Sequence, residues 1–152
     1  MLCLSKKTEY ALIALGYLAE RPGQVASARE ISRAFELPLP LLMNILKALN
    51  RHDLLTSSRG IRGGYQIGRG LMTASLYDLI SILDGDQPPS QLVEVHQDDR
   101  GEEHRPLSIH APVQALNVRL AKFLDDAKLY DLVMPKRGRR NESAVLAAGV
   151  LA

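Results

Sequence analysis

Asn44, Lys47 and Arg51 stand three and then four residues apart, with Pro40 and Leu41 just ahead of them. Such spacing puts side chains on one face of a helix. That face would offer an amide, an ammonium and a guanidinium, the groups that hydrogen-bond adenine, guanine and phosphate. A few residues later comes Arg59-Gly60-Ile61-Arg62-Gly63-Gly64, a glycine-rich turn carrying cations. Its glycines let backbone come close to a sugar-phosphate chain. Its arginines suit the negative potential of a minor groove. Lys6 and Lys7 are further candidate phosphate contacts, and Ser27 heads the helix before the basic one. The simpler explanation of the Asn44 face is the wet side of an amphipathic helix. That explanation would suffice for one helix alone. A capped short helix, then the Asn44 helix, then a basic turn favours double-stranded DNA as the partner.

A second chemistry is open to the histidines. His96, His104 and His110 lie among Glu94, Asp98, Asp99, Glu102 and Glu103. Imidazole and carboxylate together suit a divalent metal, zinc or iron. Their spacing matches no recognised ligand motif, so a solvated acidic loop is the preferred reading, with His110 at a helix start. Cys3 near Lys6 and Lys7 could be a redox thiol; an inert apolar residue near a terminus is the preferred reading. No nucleophile–base pair, phosphate loop or metal motif of recognised spacing is found, and an enzyme is not expected.

The elements that must position these groups follow from periodicity. Residues 7–20 read as a helix, apolar nearly all round from Tyr10 to Ala19, which requires cover on more than one side. Ser27 and Glu30 form a capping-box pattern before a short helix ending near Phe35. Prolines 38 and 40 separate it from a helix running to Arg51, whose Leu42, Ile45, Leu46 and Leu49 make one buried stripe. Leu54–Ser58 and Tyr65–Ile67 alternate like the strands of a hairpin, a wing with a basic tip. Ser75 and Asp78 open another helix, with Leu76, Leu79, Ile80 and Leu83 as its stripe and Gly85 as its end. Residues 86–106 read as an acidic loop. A last long helix begins near Pro112, where Val113, Leu116, Leu120, Phe123 and Ala127 repeat at intervals of three and four, a coiled-coil-like seam suited to dimerisation. The expected fold class is mainly α with a small β-hairpin wing: a winged helix-turn-helix plus a long C-terminal dimerisation helix. The expected division is a DNA-binding part at 1–72, a regulatory loop and dimerisation helices at 73–133, and a basic, then apolar, tail at 134–152.

Net charge of +2 conceals an asymmetry. Residues 1–72 hold ten Lys/Arg against five Asp/Glu, residues 73–133 five against eleven, and residues 134–152 four against one. The basic first part suits a polyanion. No apolar run approaches the roughly 20 residues of a membrane span, no secretory signal is recognised, and one cysteine permits no internal disulfide. A cytoplasmic setting is expected.

Lys7-Thr8-Glu9-Tyr10-Ala11-Leu12, Ser27-Ala28-Arg29-Glu30-Ile31, the Leu42–Leu49 helix, the Arg59–Tyr65 wing, and the segments 75–85 and 109–132 resemble the Rrf-type regulators, the IscR-, NsrR- and CymR-like family. The resemblance runs over about residues 4–133. It implies a homodimeric bacterial repressor or activator whose long helices cross at the dimer interface. Cluster-binding members carry three cysteines in and just after the segment at 86–106; this chain has none there, so no iron–sulfur cluster is expected. The family's histidine ligand matches His110, and the carboxylate that some members donate matches Glu9. Met43 stands where some members place a base-discriminating glutamate, so a target sequence does not carry over. The alternative is a winged-helix protein-interaction module in which Leu41 and Met43 make an apolar contact, or a regulator controlled by a partner protein.

Overall fold

The computed structural model describes residues 4–85 and 110–134. The acidic segment with His96 and His104, Cys3 and the tail after Pro135 lie outside the described residues. In order, the elements are α1 (Lys6–Ala19), α2 (Ala28–Phe35), α3 (Leu39–Arg51), β1 (Leu55–Ser58), β2 (Gly64–Ile67), a short 3-10 helix (Arg69–Met72), α4 (Leu76–Asp84), α5 (His110–Asp126) and α6 (Leu129–Val133). The described residues are mainly helical with one two-stranded antiparallel hairpin, as the periodicities predict.

Each of three helices starts where a serine can satisfy an orphan amide. Ser5 accepts from the Thr8 amide at 3.2 Å, Ser27 from the Glu30 amide at 3.2 Å, and Ser75 from the Asp78 amide at 3.2 Å. The box at α4 closes fully, because Asp78 accepts in return from the Ser75 amide at 2.8 Å. The expected box at α2 closes by half only. The Glu30 carboxylate accepts instead from the Tyr17 hydroxyl at 2.8 Å, a bond to α1 that local pattern does not disclose. Between α2 and α3, Glu36 turns left-handed (φ 53°) and Pro38 begins the next helix with Pro40 in its first turn.

The core is one apolar cluster. Ala11, Ala14, Leu15 and Leu18 of α1 meet Ile31 of α2 and Leu42, Ile45, Leu46 and Leu49 of α3. Leu54, Leu55, Leu71, Leu79, Leu83 and Leu129 also belong to it, so residues on both sides of position 72 share it. Leu129 is fully buried although it belongs to a helix of five residues. Backbone pairing fixes it there: the Leu129 amide donates to the Ala74 carbonyl at 2.9 Å and the Leu76 amide to the Ala127 carbonyl at 2.8 Å.

α5 packs on α4 and turns inward a stripe of Asn117, Leu120, Ala121 and Leu124, of which Leu124 is buried. A heptad repeat would put Leu116, Leu120, Phe123 and Ala127 on one seam. On α5 they do share one side of the helix, but their cover within the chain differs. Leu120 and Ala127 are half-buried against their own chain, whereas Leu116 and Phe123 are 54% and 69% exposed. The side chain of Val113 is outside the described residues. The extra cover on α1 comes from its own chain as well, through α4 and α6.

Candidate nucleic-acid interface

α3 divides cleanly. Leu42, Ile45, Leu46 and Leu49 are buried, while Asn44, Lys47 and Arg51 are exposed or nearly so and Leu41 is half-buried. Burial of those four side chains holds the helix, at roughly 1.5–3 kcal/mol each, and thereby fixes which way the polar residues point. Pro40 is exposed in the first turn. Met43, an apolar residue outside the expected polar face, is 40% exposed beside Asn44.

The hairpin that follows pairs Leu55 with Ile67, Thr56 with Gln66, Ser57 with Tyr65, and Ser58 with Gly64. Arg59, Gly60, Ile61 and Arg62 make its exposed tip. Gly60 takes φ +117°, which a side chain rarely adopts. At the base the hairpin is pinned to the chain ahead of α2. The Tyr65 amide donates to the Ala26 carbonyl at 2.8 Å, and the Ala26 amide to the Tyr65 carbonyl at 3.0 Å. Gly64 is required there, since a Cβ would lie 2.3 Å from the Ala26 oxygen. Ser27, the α2 cap, follows that bonded residue directly. This pinning is not legible in the sequence, because Ala26 and Tyr65 are joined only by the fold.

The lysines at the start of α1 are engaged within the chain. The Lys6 ammonium pairs with Glu9 at 2.7 Å, and that bond and charge raise Lys6 above its usual 10.5. Lys7 donates to the Leu83 carbonyl at 3.2 Å, where a cation suits the C-terminal end of α4. Ser5 donates to Asp84 at 3.0 Å, tying the same two helix ends.

Among the described residues no three His, Cys, Asp or Glu side chains converge, and Glu9 is committed to Lys6. A cluster held by cysteine thiolates does not fit a chain whose single cysteine is Cys3. The side chain of His110, like those of His96 and His104, lies outside the described residues. A cavity of about 420 Å³ is lined by His52, Asp53, Thr73, Asp78 and Ser81, and it is open to solvent.

The model of the Rrf2 family, described as "Iron-dependent Transcriptional regulator", matches residues 4–135. The chain belongs to the Rrf2 family. Its fold is that of winged-helix Rrf2 regulators, with transcription regulation as the family's function. A relative in Aquifex aeolicus, named "Putative HTH-type transcriptional regulator", is 25% identical over 130 residues, 85% of this chain and 90% of that protein. The chain spans about half the length of several other curated relatives it matches. Among solved structures, CymR, the global cysteine regulator of B. subtilis, is similar at 27% identity and TM-score 0.67, covering 88% of this chain and 97% of that one. IscR of T. potens shares the fold at TM-score 0.63 and 21% identity, covering 95% of this chain and 96% of that one. These relatives are regulators rather than enzymes. Among the described residues, no helix is long and apolar enough to cross a membrane.

Proposed function

We propose that this Rrf2 protein regulates transcription by binding a roughly palindromic operator as a homodimer, with α3 in the major groove and the wing in the minor groove. The observation that carries the reading is the division of α3. Four buried leucine and isoleucine side chains anchor it, and Asn44, Lys47 and Arg51 face outward just ahead of a hairpin tipped with Arg59 and Arg62. Asn44 is assigned to an adenine edge and the cations to guanine or phosphate. Leu41, Pro40, Ser27 and Gly60 flank these contacts; Lys6 and Lys7 contribute through long-range attraction, since their ammonium groups already have partners within the chain.

Homodimerisation is assigned to the outer face of α5. On the seam of Val113, Leu116, Leu120, Phe123 and Ala127, Leu116 and Phe123 are large, apolar and exposed, and Leu132 of α6 is exposed as well. Two copies joined through it would set two α3 helices about one turn of DNA apart. On this reading residues 1–72 bind DNA and residues 73–133 dimerise and regulate. The regulator works without an iron–sulfur cluster, consistent with its cysteine content. The reading places it in the cytoplasm, with no membrane partner.

Selection of bound sequences from random duplexes at physiological salt tests the reading. An enriched, roughly palindromic site is expected, with affinity falling steeply as salt rises. A folded protein that enriches no sequence, and whose partners bind without salt dependence, would instead be a protein-interaction module using Leu41 and the exposed Met43.

A further inference from the structure

Ile61 takes no part in holding the fold. Its relative exposure is 108%, above that of the other exposed large apolar side chains among the described residues. Single exposed apolar residues are ordinary on protein surfaces; the placement of this one is not. The strand pairing ends at Ser58 and Gly64, and the Gly63 amide donates to the Gly60 carbonyl at 2.9 Å. That bond closes a tight turn in which Ile61 and Arg62 are the two central residues. Polar or small residues normally serve such turns, because they solvate or bond the local backbone. A β-branched hydrocarbon has few rotamers, and this one stands fully exposed. The turn therefore presents a stiff apolar point, with the exposed guanidinium-bearing Arg59 and Arg62 on either side.

Cations beside an exposed hydrocarbon, on a hairpin just after α3, match the chemistry of the DNA minor groove. There, cations follow the negative potential while an apolar side chain enters between base pairs and partly unstacks them. The deformation is easiest at pyrimidine–purine steps. We propose that Ile61 is a wedge that inserts at such a step under each wing and so reads the operator through its deformability. The inference rests on the DNA-binding reading and adds to it a specificity-determining residue that hydrogen-bonds nothing.

Site selection with the wild-type protein, Ile61→Ser and Ile61→Leu tests it, together with the bend of end-labelled duplexes measured by energy transfer. Ile61 is fully exposed, so neither substitution disturbs packing. Wild-type sites are expected to carry TA or CA/TG steps at the two flanks where the wings lie. Ile61→Ser should lose that preference, bind roughly tenfold more weakly and bend the duplex less, while keeping the preference set by α3. Ile61→Leu should retain all three properties. If Ile61→Ser keeps the flanking steps, the affinity and the bend, the wedge is overturned and the DNA reading stands. If the folded wild-type protein selects no DNA, both fall together.

Discussion

Asn44 and Gly64 illustrate how differently single residues serve this molecule. Asn44 is exposed and supports nothing beneath it, so its removal should leave stability alone. Asn44→Ala should weaken specific binding by about 1–3 kcal/mol and relax one position of the selected site. An unchanged site preference in repeat selection would end its assignment to a base. Gly64→Ala is the opposite case, because the new Cβ meets the backbone oxygen of Ala26 at 2.3 Å. A loss of about 1–3 kcal/mol is expected, read as an earlier midpoint in urea. A wild-type midpoint would mean that the Ala26–Tyr65 pairing does not form in solution. Tyr17 gives a third, pH-linked case. Its bond to Glu30 raises the phenol above the usual 10. A raised folded value means that the bond stabilises the protein below pH 10 and is lost as pH climbs through the higher value. Ultraviolet absorbance of Tyr17 ionisation, isolated by comparison with Tyr17→Phe, should therefore rise above pH 10; ionisation at or below it would show that the bond is absent.

At the scale of elements, the wing invites a charge experiment. Arg59→Ala with Arg62→Ala removes exposed cations without touching the hairpin's pairing. Binding should weaken at every sequence, and the dependence of log affinity on log salt should lose roughly 0.9 per contact that had neutralised a phosphate. Full affinity with an unaltered slope would remove the wing from the interface. Elements also show what a sequence discloses. The α3 stripe is legible because amphipathicity is local: spacing alone says which leucines are buried. The two capping patterns look alike in sequence, yet Ser75 and Asp78 close on one another while Glu30 turns to Tyr17, thirteen residues earlier. Only the packing of α1 against its neighbours decides that. The same holds for α6. Leu129 is buried through pairing with Ala74, and nothing within residues 127–133 announces the partner.

For the whole molecule, the outer side of α5 is the surface whose cover matters. The three-and-four spacing locates the seam, but not that the chain's own inner stripe at 117, 120, 121 and 124 overlaps it at Leu120. Leu120→Asp would bury a charge inside one chain and confuse folding with assembly. Phe123→Asp strikes a residue that is 69% exposed. It should halve the mass measured by light scattering while leaving the thermal transition of the single chain in place. A mass unaltered by that substitution would put the dimer contact elsewhere. The candidate nucleic-acid interface is largely legible in the sequence: the α3 cations and the wing arginines are exposed as periodicity and turn chemistry require. The internal use of Lys7 is not, because Lys7 meets Leu83 only through the approach of α1 to α4, whereas the Lys6–Glu9 pair is local at i,i+3.

The paired amides of Ala26 and Tyr65 bear on how such proteins can be recombined. A hairpin excised at residues 55–67 and transplanted into a relative would leave half of its footing behind. Gly64 would then abut a foreign backbone at a clearance that tolerates no mismatch. The smallest exchangeable cassette runs from the residues around Ala26 through the second strand. Cut at those borders, grafts should keep the hairpin's footing on Ala26, and grafts of the hairpin alone should not.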